Sequence, residues 1–530
     1  MRPVQPSLRP LRRRWSSAWL LGPIGWAVLS AACRPPAKPA HAESALVVWT
    51  DRGPVAGKRV EGDVRAYLGI PFAAAPVGDR RWRPPVPPEA WSTPRDATRV
   101  GPACPQVNVP PYATTDEDCL TLNVWVPPGG AARKPVMVWI PGGAFIEGSG
   151  GYQLYEGARL AAREDVVVVT INYRIGALGF LSHPALAREA GLDANASFGL
   201  LDQQAALGWV QSNVAAFAGA PELVTIFGQS AGAWSVCAHL AMPASRGLFA
   251  RALMESGACA GGLYFGPREA EAQGDAFARA LGCSDLACLR AAPVERVLHA
   301  LPSKHGYVVS PGVWWGPVVD GRSLPRVPLD SLRRGDSARV PLLLGWNRDE
   351  GLIHSTWPSG LSVEQRDGFV RDSFGEEAVA PTAARYAEVS VKDSFIDLMT
   401  DGQFACQDKR AARSFAAHDN PVFLYEYRHA LESPKLHALG PTHSVEMWLV
   451  FGTEEAGIRL TDSERPLSHA IMDAWGRFAR TGDPSGPDLA WPRYTPDDDT
   501  LLVLDAPSSL ASHVKADACS FWDRFERTLR

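Results

Sequence analysis

The chain has 530 residues, 46% of them hydrophobic and 21% charged, an ordinary globular composition that excludes a disordered or low-complexity protein and leaves ample material for a large core. Its formal charge is −4, but residues 1–42 hold seven Lys or Arg and no acid; without them 46 basic residues face 57 acidic ones, a balance of −11. Such an acidic surface argues against a nucleic-acid partner.

The first segment differs from the rest. A basic stretch, RPLRRRW (9–15), precedes a short apolar run, AWLLGPIGWAVLSAA (18–32), and then the small residues Ala40 and Ala42 in an A-x-A arrangement. That order reads as a secretory signal peptide over 1–42. The apolar run is shorter than the ~20 residues that cross a bilayer, and Pro23 interrupts it. No stable membrane span is therefore expected in the mature chain. Cys33 offers a second processing route, cleavage before a lipidated cysteine, although Leu29 lies one position too far upstream for it. The expectation is export, to the periplasm, the cell envelope or the medium, with residues 43–530 forming a single domain.

Beyond that point apolar runs alternate with helix-like stretches. LTLNVWV (120–126), PVMVWI (135–140), VVVVTINY (166–173), LVTIF (223–227), VPLLLGW (340–346) and PVFLYEY (421–427) predict strands buried on both faces. Leu200, Leu207, Val210, Val214 and Phe217 recur at helical spacing between them. This alternation predicts an α/β fold, a central, mostly parallel sheet with helices on both faces.

Three of these strands end in residues that carry chemistry. After the second comes WIPGGAF (139–145), whose consecutive amides at Gly142, Gly143 and Ala144 could face an oxyanion. The fourth runs into Gly228-Gln229-Ser230-Ala231-Gly232 and then a predicted helix, AGAWSVCAHLA. A strand–turn–helix with serine at its apex is a nucleophile elbow, in which the hydroxyl is lifted clear of the sheet and the amide of Ala231 joins the oxyanion site. The fifth ends in NRDEG, which supplies Asp349 and Glu350 as acids. Seven of twelve histidines follow, including His354, His418, His429, His437 and His443, and chain order does not choose among them.

These motifs resemble the type-B carboxylesterase (cholinesterase-like) family, and specifically its secreted bacterial members, from about Leu46 to Phe525. YLGIPFAAAPVGDRRWRPP (67–85), EDCLTLNVWVP (117–127), VTINYRIGALGFL (169–181), GLLDQQAALGWVQSNVAAFAGAPELV (199–224) and VTIFGQSAGA (224–233) carry the likeness. The resemblance implies an α/β-hydrolase fold and a serine esterase without cofactor or metal, acting on small-molecule esters. It implies Ser230 as nucleophile, His443 as base, Glu350 rather than Asp349 as orienting acid, and Gly143, Ala144 and Ala231 as oxyanion donors. It also implies disulfides Cys104–Cys119, Cys283–Cys288 and Cys406–Cys519, and gives Cys237 and Cys259 no expected bridge; two buried thiols or a fourth bridge both remain open. It does not imply an oligomeric state.

The sequence departs from the family where substrate is chosen. Ala144 stands where a third glycine is common, and its methyl narrows the space beside the reacting carbon. The loop between Cys104 and Cys119 has no Trp, and Gln229 stands where cholinesterases carry Glu; both changes disfavour choline and favour uncharged esters. Trp314 and Trp315, in VWWGP (313–317), are candidates for the acyl pocket, with core packing the competing reading. A lipase remains a variant of the hydrolase reading. A catalytically silent adhesion protein on the same fold is the alternative from another class, set against the presence of all three triad residues.

Overall fold

The structure is a computed structural model that describes residues 46–129, 133–190, 197–260, 264–304, 312–355, 360–454, 457–487, 489–526 and 529. The segment 1–42, with Cys33, lies outside the described residues. No helix among the described residues is long and apolar enough to cross a membrane.

One twisted sheet organises the chain. Its antiparallel flank is built from β1 (Leu46–Trp49), β2 (Pro54–Arg59), β3 (Arg65–Pro71) and β5 (Thr121–Val126), with the two-residue β4 (Arg95–Asp96) beside β2. The parallel centre follows as β7 (Val167–Ile171), β6 (Lys134–Ile140), β8 (Gly219–Gln229), β9 (Arg251–Glu255), β10 (Leu342–Asn347), β11 (Val422–Tyr427) and β12 (Thr500–Leu504), with β13 (Ser509–Ser512) antiparallel at the far edge. This is the mixed, mostly parallel α/β sheet that the alternation of runs predicts.

The centre is parallel for a physical reason. Every residue of β6, β7, β10 and β11 is buried, so both faces of the sheet must be covered, and the crossovers between parallel strands supply the helices that do so. One apolar cluster fills the first face, with Val138, Ile226 and Leu344; a second, with Met137, Phe227 and Leu343, fills the other. Alternate residues of the same three strands thus point to opposite cores, as the two-residue period of a strand requires. The helical spacing after Gly199 becomes a helix, Phe198–Asn213, closed by a 3-10 turn, Val214–Phe217. AGAWSVCAHLA is the helix Ala231–Ala241, buried along its whole length.

Four disulfides close loops: Cys104–Cys119, Cys283–Cys288, Cys406–Cys519 and Cys237–Cys259. For the last pair the structure decides between the two open readings. Cys237, on the helix Ala231–Ala241, lies with its Cα 5.5 Å from that of Cys259, a separation that a disulfide spans.

The register sets the chemistry side by side. Ile140 pairs with Gly228, and Gln229 pairs with Glu255. Strands β6, β8 and β10 therefore release their following turns at one edge of the sheet, the carboxyl end, where open α/β sheets bind ligands.

Candidate active site

Ser230 follows the last residue of β8 and precedes the first of the helix Ala231–Ala241. Its φ of 57° and ψ of −126° belong to a sparsely populated region that the surroundings must enforce. They do so through close packing: a Cβ on Gly232 would come within 2.0 Å of Ile140 O, and one on Gly228 within 2.7 Å of the same oxygen. Only glycines let the turn press against the end of β6. The Ser230 amide donates to Glu255 O on β9 at 2.9 Å, which fixes the elbow from the other side.

The turn after β6 is held with equal firmness. Tyr173 donates its hydroxyl proton to Pro141 O at 2.8 Å, and the amides of Ile146 and Glu147 both donate to Gly143 O, at 2.9 and 3.0 Å. Ala144 and Phe145 are forced into left-handed backbone, φ 51° and 60°, which is unfavourable for residues with a Cβ. Among the described residues the amides of Gly143, Ala144 and Ala231 have no protein acceptor. Gly143 and Ala144 line a cavity of about 540 Å3 together with Ser230 and His443. Three amides without acceptors beside a serine are what an oxyanion site requires.

The candidate acid and base lie on the segments that follow β10 and β11, respectively. His443 Nδ1 lies 2.6 Å from Glu350 Oε2. Glu350 is fully buried, and its second oxygen accepts the Asn347 amide at 2.7 Å. Asp349 instead turns outward to pair with Arg348 at 2.8 Å. His443 itself is 8% exposed, and Phe404 packs its ring 5.0 Å from the imidazole. Phe404 arrives there on a π-helical stretch, Met399–Ala405, that leads directly into the bridged Cys406; π-turns recur at functional sites because they re-aim side chains.

The other histidines are engaged elsewhere. His418 contacts Arg333 O at 2.9 Å, His437 contacts Leu431 O at 3.1 Å, and His429 faces Asp505 and Glu464. The side chain of His354 lies outside the described ones. Of the substrate-pocket candidates, Gln229 lines the cavity, whereas Trp314 and Trp315 are not among its described lining residues. Trp315 packs edge-on against Phe277 at 5.8 Å, and Trp314 accepts a bond from Gln273 at its carbonyl, 2.8 Å away, so both sit in packed structure.

Sequence reasoning missed several residues that shape the site. Tyr152, Tyr155 and Glu147 line the cavity; they follow the turn after β6 in EGSGGYQLYEG, and their closeness in sequence to PGGAF was the available signal. No local pattern marks Phe404. Behind His443, Glu446 accepts a hydrogen bond from Asn347 Nδ2, and burial, with the nearby Glu350 charge adding to it, pushes its carboxyl up to about 7. Asp408 and Glu255 are likewise raised by burial first, and by Glu350 and Glu446 respectively. Glu350 thus lies among acids that favour the neutral form. No group of three or more metal-binding side chains occurs among the described residues.

Residues 44–522 match the model of the Carboxylesterase family. Over 493 residues, covering 89% of this chain and 97% of the relative, the chain is 36% identical to a para-nitrobenzyl esterase of Bacillus subtilis. It is 33% identical to a cholinesterase of Mus musculus, covering 93% and 89%, and 36% identical to a fumonisin B1 esterase of Sphingopyxis macrogoltabida, covering 89% and 88%. Among solved structures, a PNB esterase superposes with a TM-score of 0.80 at 36% identity, covering 90% of this chain and 99% of the other. A Geobacillus stearothermophilus carboxylesterase gives 0.77 at 36% identity over the same shares.

Proposed function

The chain belongs to the carboxylesterase family and is a carboxylic ester hydrolase, and on that premise we propose that Ser230, His443 and Glu350 are its catalytic triad. The observation that carries the reading is the 2.6 Å contact between His443 Nδ1 and buried Glu350, in a cavity that also exposes Ser230. His443 Nε2 takes the proton of Ser230 as the oxygen attacks the ester carbonyl. The oxyanion that develops is met by the amides of Gly143, Ala144 and Ala231. Glu350 holds the imidazole in the Nδ1–H tautomer and stabilises the imidazolium. The protonated imidazole passes its proton to the leaving alcohol, and a water activated by His443 then releases the acid from the acyl-enzyme.

The substrates are uncharged carboxylic esters in the first instance, since no Trp stands in the Cys104–Cys119 loop and Gln229 carries no charge. The mature chain is an exported single domain. The basic-apolar-small order of residues 1–42 supports export, and so do four disulfides, which persist in oxidising compartments. The experiment is a p-nitrophenyl ester series from acetate to palmitate with Ser230→Ala as control, together with the N-terminal sequence of the exported protein. Hydrolysis that survives Ser230→Ala overturns the triad, and a mature N-terminus at Met1 overturns the leader.

A further inference from the structure

Glu147 places a carboxylate in the wall of the active-site cavity, one turn beyond the oxyanion amides. Its backbone is fixed by the bond from its amide to Gly143 O at 3.0 Å. Its side chain is positioned too: Cγ stands 3.1 Å from where a Cβ on Gly143 would lie, and Oε2 accepts from Asn108 Nδ2 at 3.1 Å. Asn108, Gly143 and Tyr152 all line the same cavity as Glu147. The negative charge reaches Tyr152, whose hydroxyl it helps to keep protonated, after burial as the larger cause.

Charge balance in the cavity is one-sided. No Lys or Arg occurs among the described lining residues, and among the described ion pairs none involves Glu147. Tyr152 and Tyr155 line the same cavity, the Tyr155 ring packed against Trp139 and Phe451. A half-buried carboxylate that accepts a hydrogen bond from a neutral amide, in a cavity with no Lys or Arg among its described lining residues, suits a protonated amine, whose N–H groups donate charge-assisted bonds to it.

We propose that Glu147 is a specificity-determining residue that selects esters carrying a primary ammonium group remote from the ester bond. The proposal rests on the triad reading, since it concerns the same cavity. It differs from choline recognition in mechanism. A quaternary ammonium has no N–H to donate and relies on aromatic faces and long-range charge, whereas a primary ammonium can hydrogen-bond Glu147 directly. Uncharged esters remain substrates and set the baseline. Because the ammonium sits away from the reacting carbon, its contact is made equally in the ground and transition states and appears in KM rather than kcat.

The test uses rigid benzyl acetates whose amine cannot reach its own ester. kcat and KM are measured at pH 7 and low salt for 4-(aminomethyl)benzyl acetate, its neutral isostere 4-ethylbenzyl acetate, the trimethylammonium analogue and the anionic 4-(carboxymethyl)benzyl acetate. The ammonium ester is expected to have the highest kcat/KM, about tenfold above the neutral one through KM, with the quaternary ester no better than the neutral one, the anionic ester lowest, and the ammonium-to-neutral ratio shrinking in 0.5 M NaCl. In Glu147→Gln the ratio of ammonium to neutral ester falls to near one; in Glu147→Asp, which keeps the charge, it stays above one. A wild-type ratio of one or less overturns the proposal, as does a ratio that survives in Glu147→Gln. Failure of the neutral ester to be hydrolysed through Ser230 instead counts against the triad reading, so the two failures are separable.

Discussion

The side-chain amide of Gln229 lies 3.1 Å from Nε2 of His443. This contact sets a carboxamide against the nitrogen that the proposed mechanism uses as base. An amide N–H donates to Nε2 only if the imidazole carries its proton on Nδ1, where Glu350 accepts it at 2.6 Å. Gln229 and Glu350 together therefore favour the Nδ1–H tautomer that the proposed mechanism uses.

Gln229→Glu sets a second carboxylate against the ring, and a carboxylate at this distance favours the imidazolium. The acidic limb of the kcat/KM–pH profile is expected to move up by about one unit or more, lowering activity at pH 7. Gln229→Leu removes the donor without adding charge and leaves the limb near its original position. A Glu variant whose pH profile superposes on that of wild type contradicts the tautomer argument.

Ala144 carries its methyl at a φ of 51°, beside the carbon under attack. Ala144→Gly frees that space and relieves about 1 kcal/mol of left-handed backbone strain. Hydrolysis of a tert-butyl ester is expected to rise about tenfold relative to the n-butyl ester, the scale of one methyl group in a specificity pocket. Unchanged relative rates for the two esters would show that the methyl does not limit the site.

His239 makes a pH prediction for stability. It is fully buried on the helix Ala231–Ala241, with Nδ1 2.9 Å from Ser245 Oγ and Nε2 3.0 Å from Gln203 Oε1. Burial lowers its pKa from 6.5 to about 3. Between those values the unfolded chain binds a proton that the native chain refuses, so stability is complete above pH 6.5 and is lost as pH falls towards 3. By pH 4.5 the loss is about 3 kcal/mol. Urea unfolding at pH 7.5 and 4.5 should show a smaller pH difference for His239→Gln than for wild type; equal differences in the two proteins refute the assignment.

The bridge Cys237–Cys259 closes a loop of 22 residues, for which chain entropy gives about 3 kcal/mol. Mass mapping after alkylation without reduction should find no free thiol at either position. The double substitution Cys237→Ala, Cys259→Ala should lose about that amount in urea unfolding. Alkylation at Cys237 in the native protein would return the pair to the reading of two buried thiols.

Much of the fold was legible because its central strands are buried on both faces and read as unbroken apolar runs; PVMVWI and VPLLLGW become β6 and β10 within two residues. The β9 strand was not, since ARALME lacks such a run and is identified by its neighbours β8 and β10 rather than by its own residues. The elbow was legible because a turn this tight demands glycines at fixed offsets. The wall of the cavity was not: Phe404 reaches His443 through a π-helical register that no spacing rule anticipates, and Trp314 and Trp315 show that aromatic residues near a motif can belong to the core. Cys237 and Cys259 stayed open because a disulfide depends on distance in space, which their 22-residue separation leaves undetermined.

Strand β9 contributes no described residue to the lining of the cavity, yet it lies between the strand that ends at the serine and the strand that ends before the acid. Its Glu255 carbonyl takes the Ser230 amide at 2.9 Å, and the Ser256 amide donates to Gly345 O on β10 at 2.7 Å. Two strand spacings, about 9.6 Å, therefore separate the strand that ends at Ser230 from the strand that ends before Glu350, and β9 acts as the gauge block between them. A substitution that thickens or tilts this one strand would detune proton transfer from a position that substrate never touches.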